Sequence, residues 1–174
     1  MAVSVSREDP AYFLWQRVDQ ADLERFWDIF DDTPVRVGLI AERLGLEVLS
    51  VTLPSEISGQ IRRRDDGIYE ILINNTDVAV RQRFTVCHEI AHYLLHRHLI
   101  DREGITDNIL YRSKLSNKQE AEANRLGAAL LLPWSKVIEW YLENYGTPPE
   151  KTNIDQIATA FRASSLAVGF RLGV

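Results

Sequence analysis

The chain has 174 residues, 45% hydrophobic and 26% charged, the balance of a folded domain rather than a disordered one. Twenty basic against twenty-five acidic residues leave a net charge of −5, a handicap for any protein that must neutralise phosphates, so direct nucleic-acid binding is not expected. No apolar run approaches the ~20 residues needed to cross a bilayer, and the start MAVSVSREDP lacks the basic-then-apolar order of a secretory signal.

In chain order, Tyr12, Trp15, Leu23, Phe26, Trp27 and Phe30 recur at helical spacing, so the first thirty residues read as helix, its aromatic stripe core or docking surface. Thr33-Pro34 breaks it, and a second helical period, Val35–Leu44, stops at Gly45. Glu47–Leu53 and Ile68–Ile73 read as strands, and Asp66-Gly67 marks a hairpin turn, so a small, mostly antiparallel sheet is expected. The one dense basic run, Arg62-Arg63-Arg64, reads as a solvated turn between strands. A helical period returns after Asn75 and holds to about His98, followed by a polar loop over Ile100–Ser116. Helices then follow at Asn117–Leu132, stopped by Pro133, and Trp134–Asn144, ended by Gly146-Thr147-Pro148-Pro149. Ile154–Val174 reads as two short helices joined near Ala163-Ser164. Cys87 is the only cysteine, which excludes an internal disulfide and points to a cytoplasmic setting.

Residues 88–92 read His-Glu-Ile-Ala-His within the helical segment FTVCHEIAHYLLH. Residues four apart on a helix share a face, so His88 and His92 direct two imidazoles at one spot. Glu89 is turned about 100° from His88 and stands beside that spot, where it can take a proton from a water. This is the H-E-x-x-H pattern of zinc peptidases. The competing account is a pair of half-buried polar histidines; the long helix and its apolar anchors Phe84, Cys87, Ala91, Leu94 and Leu95 favour the metal. Cys87 faces away and reads as a buried structural thiol rather than a ligand.

A catalytic zinc needs a third protein ligand and an open position. His96 lies ~12 Å along the axis from His88, too far for one ion to hold both. It reads as a supporting or helix-end residue, and His98 as solvent-facing. On the next helix, Glu120 shares a face with Asn124, Gly127 or Ala128, and Leu131, whereas Glu122 points the other way. Spacing therefore favours Glu120 over Glu122 without settling it. Small residues at 127–129 allow a neighbouring helix to come close.

RQRFTVCHEIAHYLLH (81–96) followed by EAEANRLGAALLLP (120–133) resembles the ImmA/IrrE family of zinc metallo-endopeptidases. That family's usual pattern is an R-F-T-x-x-H-E-x-x-H-Y-x-L-H helix and then E-x-x-A-N-x-F-A-A-x-L-L-M-P. LPSEISGQI upstream and AFRASSLAVGFRL downstream extend the resemblance over roughly residues 35–172. Leu126, Gly127 and Leu132 depart from the usual Phe, Ala and Met, all at packing positions.

The resemblance implies an α+β, zincin-like metallopeptidase domain, mostly helical, with a small mainly antiparallel sheet beside the H-E-x-x-H helix. It implies Zn2+ held by His88, His92 and Glu120, with Glu89 as general base; a His2Glu set would also suit Mn2+ or Fe2+. The expected organisation is an aromatic helical extension over 1–33 and the peptidase domain over 34–174, closing in a helix pair at 152–172. Tyr93, His96, Tyr111 and Arg112 are candidates for stabilising the oxyanion. The resemblance further implies a protein substrate, a helix-turn-helix transcriptional repressor, whose cleavage would release stress, phage or mobile-element genes. The rival expectation is a non-catalytic module that docks on a repressor or toxin–antitoxin partner, its metal site structural or idle. A third, lower-ranked expectation is DNA binding by the closing helix pair, whose bases are Arg162 and Arg171 with Lys151 just before.

Overall fold

The computed structural model describes residues 3–103, 105–108, 117–147, 149 and 153–173. Its elements are α1 (Tyr12–Trp15), α2 (Gln20–Phe26), a 3-10 turn (Trp27–Asp31), α3 (Val37–Arg43), β1 (Leu46–Val51), β2 (Ile57–Arg63) and β3 (Tyr69–Asn74). Then come α4 (Ala79–Glu103), β4 (Ile105–Asn108), α5 (Asn117–Leu131), α6 (Trp134–Tyr145), α7 (Ile154–Phe161) and α8 (Ser165–Leu172). The fold is α+β, helices dominating over one small sheet. No helix among the described residues is long and apolar enough to cross a membrane.

The four strands lie in the order β1-β3-β2-β4. β2 runs antiparallel to both neighbours, and β1 runs parallel to β3, Leu46 facing Tyr69 and Val51 facing Asn74. The expected Asp66-Gly67 hairpin forms: Gly67 takes φ +88°, which a glycine adopts at no steric cost, and the Arg64 and Ile68 backbones close the turn. Arg62 and Arg63 end β2 and only Arg64 lies beyond it, so the basic run is mostly strand rather than turn. Each arginine has an acidic partner: Arg62 the buried Glu70, Arg63 Asp101 at 3.7 Å, and Arg64 both Glu47 at 2.7 Å and Asp66. That pairing spends the charge a phosphate backbone would need.

Two expected elements come out differently. The first thirty residues are not one helix but two short helices and a 3-10 turn. Asp19 breaks the period, its backbone extended and its side chain accepting from Ala21 N to start α2. The break folds the stripe back on itself, so Trp15, Trp27 and Phe30 meet edge to face with centroids 5.0–6.1 Å apart. The loop expected from Ile100 is instead the end of α4 and strand β4 as far as Asn108. β4 earns its place by pairing with β2, a contact invisible to local periodicity; residues 109–116 lie outside the described set.

Ile61, Ile71 and Ile73 of the sheet and Cys87, Ile90 and Ala91 of α4 are buried in one core, with α4 packed along β2. Cys87 is fully buried, and burial pushes its thiol up to about 12, as a structural cysteine requires. α5 packs against α4 with Gly127 at the crossing: a Cβ there would stand 3.1 Å from His88 Cα and N. The segment before α3 joins the same core through Trp15, Phe26 and Ile29. It is also tied by charge: Arg171 of α8 forms a buried two-pronged ion pair with Asp9, at 2.7 and 2.9 Å, and donates to Leu132 O at 2.8 Å.

The closing helix pair forms as expected, with Ser164 capping α8 by accepting from Ala167 N at 3.1 Å. Its apolar residues Ile157, Phe161, Ala167 and Val168 are buried. Arg171 is spent on Asp9, so the pair offers Arg162 alone among its described bases, and Lys151 lies outside the described residues.

Candidate metal site

α4 carries the H-E-x-x-H residues inside the protein: His88, Glu89 and His92 are all buried. The helical turn between His88 and His92 brings their Nε2 atoms to 3.1 Å. α5, drawn in by the Cβ-free surface of Gly127, brings Glu120 opposite them. Its Oε2 lies 3.6 Å from His88 Nε2 and its Oε1 3.5 Å from His92 Nε2.

These three separations can be checked against a metal. Ligands about 2.05 Å from a tetrahedral Zn2+ stand about 3.3 Å from one another, from the zinc–nitrogen and zinc–oxygen bond lengths. The two imidazole nitrogens, 3.1 Å apart, are close to that edge, and the carboxylate approaches them with one oxygen each, Oε2 at 3.6 Å from His88 and Oε1 at 3.5 Å from His92. His88, His92 and Glu120 are also the one His/Cys/Asp/Glu group among the described residues whose donor atoms converge closely enough to hold an ion. The donor chemistry, two imidazoles and a carboxylate, suits zinc and leaves a fourth position. Burial pushes His92 down to about 3, with His96 adding to the shift, so its imidazole is neutral and keeps a lone pair for a metal.

Glu122 lies elsewhere. Its Oε2 is 3.0 Å from His96 Nε2, its Oε1 2.8 Å from Arg17 Nη1, and Lys118 Nζ is 3.9 Å away. The Arg17 hydrogen bond, aided by His96, holds its carboxyl below the usual range. His96 also meets His92, Nδ1 to Nδ1, at 3.0 Å. α4 departs from helical geometry at His96 (φ −128°, ψ 25°), so the regular helix expected as far as His98 is broken there. His98 is exposed.

The oxyanion candidates divide. Tyr111 and Arg112 lie outside the described residues. Both nitrogens of His96 are engaged by His92 and Glu122. The Tyr93 ring packs edge-on against Tyr69, centroids 5.0 Å apart, beneath the Arg97 guanidinium at 3.9 Å.

His88 and Glu120 open onto a cleft of about 450 Å3, with Asn124 beside them. Its polar rim includes Ser58 and Arg81, joined by a 2.9 Å hydrogen bond. Its apolar wall combines Val78 and Phe84 with Leu166 and Phe170 from α8, Phe84 and Phe170 stacked 5.9 Å apart. Val78 and Leu166 are about two-thirds exposed, unusual for aliphatic side chains beside a cleft. Sequence reading missed this wall because residues 78, 84, 166 and 170 are joined only by the packing of the closing helices. Arg17 was missed too, as an exposed base between two short helices.

Residues 41–173 match the Peptidase_M78 family model, described as the IrrE N-terminal-like domain. No curated protein matches the chain. Among solved structures, a Mycobacterium tuberculosis transcriptional regulator shares the fold, with a TM-score of 0.59 at 16% identity over 94% of this chain and 47% of that one. The chain thus spans about half the length of that regulator. The residue 41–173 match takes in the whole of α4, α5 and the closing helix pair, and the chain belongs to the Peptidase_M78, IrrE N-terminal-like family of metallopeptidase domains.

Proposed function

We propose that this chain is a zinc-dependent endopeptidase, with His88, His92 and Glu120 as metal ligands and Glu89 as general base. The observation that carries the reading is the convergence of His88 Nε2, His92 Nε2 and the Glu120 carboxylate, one donor atom from each within 4.8 Å of the others, at the edge of a cleft. His88, His92 and Glu120 would hold a zinc ion there, which when bound would supply Lewis acidity to activate water and polarise a carbonyl. Glu89, next to His88 on α4, accepts the proton of the attacking water and delivers it to the leaving amine. The cleft seats the chain to be cut, and its apolar wall suits an aliphatic or aromatic side chain beside the scissile bond.

The substrate that family resemblance implies is a helix-turn-helix repressor, cut to release stress, phage or mobile-element genes in the cytoplasm. A net charge of −5 is compatible with approach to a basic DNA-binding protein. Incubating the zinc-loaded protein with a purified helix-turn-helix repressor tests this. Cleavage that disappears in Glu89→Gln while zinc stays bound is the expected result. An intact repressor in the presence of zinc refutes the substrate. A biological effect unchanged in Glu89→Gln would instead establish the non-catalytic docking module.

A further inference from the structure

His92 has two ring nitrogens with different surroundings. Nε2 faces His88 and Glu120, and Nδ1 faces His96 Nδ1 at 3.0 Å. A neutral imidazole carries one hydrogen, and which nitrogen holds it decides whether a lone pair points at the metal position. Two facing Nδ1 atoms cannot both be donors or both be acceptors. The choice is passed outward to His96 Nε2 and from there to Glu122 Oε2, 3.0 Å away.

Glu122 ends the ambiguity. Its other oxygen accepts from Arg17 Nη1 at 2.8 Å, with Lys118 beyond, and an ionised carboxylate can only accept. His96 must then donate from Nε2, so a neutral His96 accepts at Nδ1. His92 therefore donates from Nδ1, leaving the Nε2 lone pair free. Each contact has one donor and one acceptor only in this direction. Were His96 doubly protonated, its Nδ1–H would point at His92 and force the hydrogen of His92 onto Nε2, where it would block a metal.

From this we infer that Arg17, Glu122 and His96 are positioning residues, a chain of hydrogen bonds that sets the tautomer and ring orientation of His92 for metal binding. The inference rests on the reading of His92 as a ligand. It also gives the N-terminal segment a role in the site. Arg17 lies between α1 and α2, outside the residues that match the family model, yet it terminates a chain that begins at the metal position. The break in α4 falls at His96, the middle link.

The test has two readouts. Long-range imidazole 1H–15N correlation on the metal-free wild type, with only four histidines to assign, reports the tautomers directly. Hydrogen on Nδ1 of His92 and on Nε2 of His96 is expected; the reverse on His92 overturns the inference. Zinc affinity, measured by competition with a chromophoric chelator, then reads the effect. Glu122→Ala should weaken zinc binding on the order of 10–100-fold, as loss of a residue supporting a ligand does. Glu122→Gln keeps an oxygen acceptor and should restore most of that affinity; Arg17→Met should cost less than Glu122→Ala. Glu122→Ala with unchanged affinity overturns the inference. If Glu122→Ala does not fold, Arg17→Met, altered at a side chain 45% exposed, and the wild-type tautomers decide. A wild type that takes up no zinc overturns the metal reading itself, while the tautomers still show whether the chain exists.

Discussion

The same two helices, α4 and α5, hold two histidine–glutamate groups, His88/His92/Glu120 and His96/Glu122, that use like residues to opposite ends. In the first, donor atoms from three side chains point at one another across 3.1–3.6 Å, beside a cleft. In the second, each polar atom ends on a partner, His96 on His92 and Glu122, and Glu122 on Arg17. The difference teaches that the identity of side chains does not make a metal site. Convergence is what makes the first group a candidate, together with its opening onto a cleft. Glu122, two residues from Glu120, is turned by the helix into an ion-paired pocket and is held there by an arginine from outside the family-matched region.

The largest expected effect separates the two groups outright. His88→Ala, His92→Ala and Glu120→Ala should each abolish stoichiometric zinc, read by elemental analysis of the purified protein, while Lys118→Ala at the edge of the second group leaves it intact. Zinc surviving Glu120→Ala would break the comparison and move the third ligand to Glu122. Next, Glu89→Gln should keep one zinc per chain and lower peptide cleavage by about 100-fold or more, the contribution of a positioned general base.

Acid should undo the metal-free protein through the first group. Burial lowers His92 to about 3, so between its unfolded value near 6.5 and that figure the unfolded chain binds a proton the folded chain refuses. Stability from this source is therefore complete above about pH 6.5 and is lost as the pH falls toward 3. Burial shifts His96 in the same direction and adds to the slope. Urea midpoints of the metal-free protein between pH 7 and pH 4 should fall accordingly, and less steeply in His92→Phe.

A control away from both groups sharpens the contrast between folding and metal binding. Asp9→Ala strands the buried Arg171 guanidinium and should cost about 3–5 kcal/mol in urea unfolding, with little effect on zinc affinity in the folded fraction. Gly127→Ala should have the smallest effect. The added methyl gains helix propensity of up to about 1 kcal/mol but meets the His88 backbone at 3.1 Å, so zinc affinity should drop less than tenfold as Glu120 is pushed back.

Much of the site was legible because its signals are local. The four-residue step from His88 to His92 is a property of any helix, and the Glu120-Asn124 face follows from the same period. Gly45, the Asp66-Gly67 turn, Pro133 and Gly146 stop their elements through backbone preferences that need no tertiary partner. Spacing favoured Glu120 without excluding Glu122 and family resemblance pointed the same way; the fold sets Glu120 beside His88 and His92, and Glu122 beside His96 and Arg17.

What the sequence by itself determined, then, was the identity of the elements that carry chemistry: the α4 helix with its two imidazoles, the α5 helix with its carboxylate, and the turns that separate them. Only the tertiary structure decided how distant segments meet. It made β1 parallel to β3 and drew β4 out of a polar stretch to pair with β2. It folded the aromatic stripe at Asp19 into a cluster and set Asp9 against Arg171, 162 residues away. It also placed Arg17 at the end of the His92–His96–Glu122 chain. The physical reason is range: backbone dihedrals and helical period act over a few residues, whereas strand partners, buried ion pairs and the walls of a cleft are contacts between segments whose separation along the chain carries no record of their meeting.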